Sequence, residues 1–188
     1  MITLKIISSS TRPGRKGPLV AGWIFTEAQK SGRFNAEVLD LGTINLPLMD
    51  ESAHPKLKQY RQEHTKQWSA SIGQADAFIF VTAEYNFSYP APLKNALDYL
   101  FHEWAGKPAG VVSYSTGRFG GVRAAARLKG DLIPLNIIPL HEGTTIPLVN
   151  SFVTPEGEFV PDEPLVQSCS DMFSQLAKRA AMRPGGTN

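Results

Sequence analysis

The sequence has one cysteine, Cys169, so no internal disulfide can form and no CxxC metal knuckle exists. Its four histidines, His54, His64, His102 and His141, stand apart, without an HxH or HxxxH pair. No metal is expected. There is no GxSxG, which argues against a serine nucleophile on a strained elbow. There is no GxGxxG and no GK[ST], which argues against a Rossmann dinucleotide loop and a P-loop. No apolar run approaches the roughly 18 residues that a membrane span needs. The N-terminal MITLKIISSS has neither a basic flank nor a long apolar region, so it does not read as a signal peptide. A cytoplasmic location, with no membrane partner, is the default expectation. Charge is modest too: charged residues make up 19 % and the net charge is +2. That balance gives no reason to expect a nucleic-acid partner.

What the chain does have is alternation. It is 188 residues long and 42 % hydrophobic, enough for one domain with a substantial core. That domain is expected to span residues 1–182, with 183–188 (RPGGTN) a disordered tail. Short apolar runs fall at residues 3–7 (TLKII), 36–41 (AEVLDL), 77–81 (AFIFV), 109–114 (AGVVSY) and 137–140 (IIPL). Continuous runs of this length suit strands buried on both faces of a parallel sheet. Pro139 cannot donate to a ladder, which puts the fifth run at an edge.

Between the runs the period changes to that of a helix. Leu19, Val20, Trp23 and Ile24 share a face, with Pro18 in the first turn. Leu57, Tyr60, His64, Trp68 and Ile72 recur at three or four, as do Leu93, Leu97, Leu100, Phe101 and Trp104. Val122, Ala125 and Leu128 continue the pattern. Leu165, Cys169, Met172, Phe173, Leu176 and Ala180 mark a C-terminal helix. Strand and helix alternate five times, which predicts a three-layer α/β fold. Right-handed crossovers and five parallel strands favour the flavodoxin-like order 2-1-3-4-5. Two connections are long, 42–56 and 142–161, and long loops in compact domains are usually functional or mobile.

Ligands of such sheets bind outside the carboxyl ends of the strands, where the strand order reverses. Three loops lie there. The first is SSSTRPGRKG, residues 8–17. It opens a helix, whose unpaired N–H groups and dipole attract anions. Ser10, Thr11 and Arg12 add donors, Arg15 and Lys16 add charge, and Gly17 permits close approach. The loop suits a phosphate monoester; a solvated turn is the other reading. The second loop is TAEYNFSYPAP, residues 82–92. Its aromatics and Asn86 suit the flat face and polar edge of an apolar ligand; a loop packed over the core is the alternative. The third is STGRFGG, residues 115–121, donor-rich where Gly120 and Gly121 open a helix. It suits an anion or a carbonyl, though alone the signal is weak; a flexible turn is the other reading. Elsewhere the signals are bland. His64 is read as packing, Cys169 as a buried inert thiol, and Glu84 with Asp98 as no acid–base pair.

At these loops the chain resembles the NADPH-dependent FMN reductase family of flavodoxin-like quinone, azo-dye and chromate reductases. SSSTRPGRKG is similar to that family's GSxRxxS/R loop. EYNFSYPAPLKNALDYL is similar to PEYNxSxPGxLKNAID, and KPAGVVSYSTGRFGGVRAAARL to KPxxxVSxGxxGGxRAxxxLR. LPLMDES is similar to LPLFDE. The similarity runs to about residue 140. Ser9, Ala83 and Ala91 depart from the family's Gly, Pro and Gly.

The resemblance implies an FMN cofactor, with NADPH or NADH as co-substrate. Ser10, Arg12, Arg15 and Gly17 would hold the phosphate. Glu84, Tyr85 and Asn86 would line the ring, largely through backbone N–H groups, with Ser115, Thr116, Gly117 and Gly120 on its other edge. Arg118 and Phe119 would face the nicotinamide or the acceptor. The implied reaction is a hydride passed from nicotinamide to flavin N5 and on to a small-molecule acceptor: quinone-like, azo, metal-ion or flavin. The flavin carries that chemistry, so no catalytic side chain is assigned. Family membership also implies a homodimer or homotetramer, with the face around Leu97, Phe101 and Trp104 available to a neighbour. The competing class is a flavodoxin-type FMN electron carrier without NAD(P)H oxidation. Such carriers are expected to be acidic, and this chain is not. A flavin-free binding protein is a third possibility.

Overall fold

The computed structural model describes residues 1–182; the tail expected at 183–188 lies outside the described residues. Five parallel strands form one sheet in the order β2-β1-β3-β4-β5. They are β1 (Ile2–Ser8), β2 (Phe34–Asp40), β3 (Ala77–Ala83), β4 (Pro108–Tyr114) and β5 (Ile138–Ile146). The helices are α1 (Gly17–Lys30), α2 (Leu41–Ile44), α3 (Glu63–Gly73), α4 (Ala91–Asp98), α5 (Val122–Leu132) and α6 (Glu163–Ala181).

The two-residue period of a strand divides the core into two halves. Leu4 and Ile6 of β1, with Ala77, Ile79 and Val81 of β3, pack against α1 and α6. Ile7, Phe78 and Phe80 point the other way, against α3, α4 and α5. Every residue of β3 and β4 is buried, which is why those runs read as continuous apolar stretches. Pro139 lies on β5, an edge strand, where its missing N–H leaves no ladder bond unmade.

Four expectations are corrected. Strand β5 runs on to Ile146, so the first residues of the expected 142–161 loop are strand. Its alternating, partly polar half follows a register shift opposite Ala109 and Val111. Helix α3 starts only at Glu63, because Gln62 is extended (ψ 139°), so Tyr60 lies outside it and Leu57 belongs to a separate 3-10 turn, Pro55–Leu57. Helix α4 stops at Asp98, and Trp104 folds back into the core. Its indole N–H donates to the Leu97 carbonyl at 3.2 Å, and its ring meets Phe78 edge-on. Leu97 and Trp104 are therefore covered within the chain and offer no surface to a second copy. His64 does pack, edge-on against the buried Tyr99 ring at 5.7 Å, and it also has a polar partner. It is half-exposed and meets Asp50 Oδ1 at 3.0 Å.

Among the described residues, no helix is long and apolar enough to cross a membrane, and no three His, Cys, Asp or Glu side chains could hold a metal ion.

Candidate functional site

The carboxyl ends of β1, β3 and β4 open into one cleft of about 330 Å³. Arg12, Arg15 and Lys16 enter it from the first loop, Glu84 and Tyr85 from the second, and Ser115 and Thr116 from the third. The topology thus brings together the three loops that composition singled out. Tyr114, Val149 and Asn150 also line it, and none was expected from the sequence. Tyr114 ends a buried strand, where a large ring reads simply as core. Val149 and Asn150 lie in the connection after β5, which carries no motif.

Ser8, Ser9 and Ser10 are fully buried at the end of β1. Ser10 Oγ meets the Tyr114 hydroxyl at 3.0 Å. The hydroxyls of Ser8 and Ser9 have no partner among the described residues. Gly17 sits directly over this nest: a Cβ there would lie 2.5 Å from Ser10 Oγ and 2.9 Å from Ser8 Oγ. No side chain caps the start of α1, so its first N–H groups face the loop. The two arginines part company. Arg15 pairs with Asp40 and lies against Gly42, and its Nε is buried without a partner. Arg12 is exposed, 5.9 Å from the centre of the Tyr85 ring. Thr11 faces a neighbouring cleft instead, beside Leu46 and Asn95.

The second loop is a tight hairpin turn. Tyr85 and Ser88 exchange both backbone hydrogen bonds, at 2.8 and 3.0 Å. Asn86 and Phe87 form its corner with φ of 49° and 64°. The backbone N–H groups of Asn86 and Phe87 have no partner among the described residues. Glu84 turns its carboxylate away from the turn, toward the start of α5. The Arg123 guanidinium, which Glu84 also meets, is held between the rings of Phe87 (4.4 Å) and Phe119 (4.7 Å). Charge on a helix reads as a solvated face, so Arg123 escapes notice in the sequence. None of Ser9, Ala83 and Ala91 has a positive φ, so the side chains that depart from the family pattern sit on unexceptional backbone.

In the third loop, Ser115 Oγ donates to the Gly117 carbonyl at 3.0 Å, and Ser115 N–H donates to Ile146. Gly120 packs so tightly on β5 that a Cβ would sit 2.4 Å from Thr145 Cγ2. Arg118 and Phe119 are exposed and stand outside the cleft's lining. A further pair of motifs meets beside the site. Asn95 donates from Nδ2 to the Pro47 carbonyl (2.6 Å) and accepts from Met49 N–H (2.9 Å). Tyr99 donates to Pro47 as well. LPLMDES is thereby pinned onto the helix of the LKNALDYL segment.

Unpartnered buried hydroxyls, a glycine cradle and an uncapped helix N-terminus are what a phosphate monoester requires. A turn with free N–H groups beside Tyr85 suits the edge of a flat heterocycle. The residues present fit FMN.

Fold and cleft define the class: a flavodoxin-like α/β protein with its site at the switch point of the sheet. Residues 2–147 match the NADPH-dependent FMN reductase family, and the chain belongs to it. It is an oxidoreductase of an FMN- and NAD(P)H-using family. The chain is 38 % identical over 178 residues to an NAD(P)H-dependent FMN reductase of Schizosaccharomyces pombe, covering 91 % of this chain and 88 % of that one. It is 36 % identical over 106 residues to a quinone reductase of Pseudomonas putida, 54 % of each. Its fold is similar to that of FerB, a flavoenzyme NAD(P)H:(acceptor) oxidoreductase from Paracoccus denitrificans, with a TM-score of 0.76. That likeness covers 96 % of this chain and 97 % of FerB at 24 % identity.

Proposed function

We propose that this chain is an NAD(P)H-dependent reductase of quinone-class acceptors, with FMN held in the switch-point cleft. One observation carries the reading: Arg15 and Lys16, just before the anion-suited start of α1, and Tyr85, which opens the turn with free N–H groups, line the same cleft, whose volume is in the usual range for a small-molecule site. FMN, when bound, supplies the hydride chemistry.

The chain's own residues bind and orient. Ser10, Gly17 and the first N–H groups of α1 hold the phosphate, with the exposed Arg12 as its counter-charge. Arg15, tied to Asp40, supports the loop from behind and adds positive potential. The backbone of Glu84, Tyr85 and Asn86 addresses the ring's polar edge, and Ser115, Thr116, Gly117 and Gly120 close its other side. Arg118 and Phe119, exposed beside the mouth, receive the nicotinamide nucleotide or the acceptor. The acceptor class includes quinones first, then azo compounds, metal ions and free flavin.

The test is anaerobic. NADPH or NADH is added to the flavin-loaded protein, followed by a panel of acceptors. The yellow colour should bleach and return on adding a quinone, and initial rates should give parallel double-reciprocal lines. A flavin that neither nicotinamide bleaches would instead mark an electron carrier.

A further inference from the structure

Tyr114 has no role in the reading above, yet its hydroxyl reaches the centre of the phosphate loop. It comes from the end of β4, while that loop follows β1, and β3 lies between them. The ring is buried, with its edge on the cleft. The hydroxyl stands 3.0 Å from Ser10 Oγ and 3.0 Å from the point a Gly17 Cβ would occupy. Ser8 Oγ completes the group, and it has no partner of its own.

Each of these hydroxyls has one proton to give. Of the pair Ser10 and Tyr114, one donates to the other, and the second proton is left to point elsewhere. Burial pushes the Tyr114 hydroxyl up to about 12, so it stays a donor at any ordinary pH. A tyrosine that donates to Ser10 leaves the serine proton aimed outward, toward the uncapped start of α1. Without that tyrosine hydroxyl, nothing among the described residues fixes the direction of the Ser10 proton.

We infer that Tyr114 is a positioning residue for the cofactor phosphate, acting by donating to Ser10 and so fixing the direction in which Ser10 donates. This rests on the FMN reading of the cleft. It also makes the discrimination between FMN and riboflavin a property of a residue two strands away from the loop.

The experiment measures flavin binding rather than turnover. The full chain is freed of flavin and titrated with FMN and with riboflavin, following the quenching of flavin fluorescence. Tyr114→Phe should weaken FMN about tenfold, the scale of one hydrogen bond to a charged partner, and leave riboflavin within about twofold. Ser10→Ala should behave the same way, and the double variant should bind FMN no more weakly than Ser10→Ala alone, since the two act in series. Thermal melts check that each variant is folded. Equal weakening of both flavins by Tyr114→Phe would show that the ring acts only through packing and overturn the proposal. So would an additive double variant, or no change at all. A wild-type chain that binds neither flavin would overturn the FMN reading itself, an outcome distinct from the other three.

Discussion

Glu84 and Arg123 are joined twice across the mouth of the cleft. Glu84 Oε2 accepts from the Arg123 backbone N–H at 3.1 Å, and Oε1 meets the Arg123 guanidinium at 3.2 Å. The second contact holds that guanidinium between Phe87 and Phe119. A carboxylate on the second loop therefore caps the helix that follows the third. Glu84→Ala should lose about 1–2 kcal/mol of stability through the uncapped start of α5. It should also weaken FMN severalfold as the turn at Asn86 and Phe87 loosens. Urea denaturation and flavin titration measure the two effects. Glu84→Gln keeps one acceptor and should lose less of each.

Gly17 is set by contact, not by conformation. A methyl there would press on Ser10 Oγ at 2.5 Å and on Ser8 Oγ at 2.9 Å. Gly17→Ala should cost about 1–3 kcal/mol as an overpacked site. It should raise the FMN Kd at least tenfold, because Ser10 must move. An unchanged Kd would show that Ser10 is not a phosphate contact.

The two arginines should differ in kind. Arg12 is free to meet an anion, whereas Arg15 is already paired with Asp40. Arg12→Ala should weaken FMN by one to two orders of magnitude, the range of a hydrogen bond to a charged group. The loss should shrink at high salt. Arg15→Ala should cost more in stability than in affinity. Isothermal titration at two salt concentrations, with a melt of each variant, separates the cases.

Much of this was legible in the chain and some was not, for physical reasons. Runs such as AFIFV are unambiguous because a central parallel strand is apolar on both faces. From them the strand order follows, and with it the meeting of the three loops. The end of β5 was hidden because Glu142, Gly143, Thr144 and Thr145 look like a polar loop. Gly143 is there because a Cβ would lie 2.7 Å from the Val111 carbonyl, beside the register shift. Tyr60 and Leu57 mimic helical spacing by coincidence. Tyr60 in fact leaves the helix path to hydrogen-bond Glu103. Contacts between distant segments, such as Tyr114 with Ser10 or Glu84 with Arg123, leave no local signal at all.

Glu103 makes stability fall in acid. Its buried carboxylate accepts from Ser69 Oγ and Tyr60 and faces Lys58 at 3.4 Å. Burial works to raise its pKa, but these partners outweigh it and hold it below the ordinary 4.5. The folded pKa is thus lower than the unfolded one. The contribution is complete above the unfolded value and is lost as pH falls through the folded value. Glu103→Gln should flatten the stability curve below pH 4.5, with Asp50 and Glu51, also lowered, supplying the slope that remains. Denaturant midpoints across an acid series test this.

Cys169 should be silent in the native protein. It is buried on α6, and burial pushes its thiol up to about 12. Without thiolate there is no fast chemistry. A thiol reagent should titrate one group in denaturant and none on the same timescale in buffer. Rapid labelling of the folded chain would contradict the buried placement.

The turn at Asn86 and Phe87 carries a consequence of its own. Asparagine tolerates a φ of 49°, but a phenylalanine at 64° is held against its preference, at a cost of about 1–2 kcal/mol. Glycine would remove that cost and would fit the hairpin as well or better. What glycine lacks is a ring to lay on Arg123. The turn is therefore a place where stability and shape pull in opposite directions. A search for more heat-resistant variants should find Phe87→Gly early, and should find a looser cleft along with it.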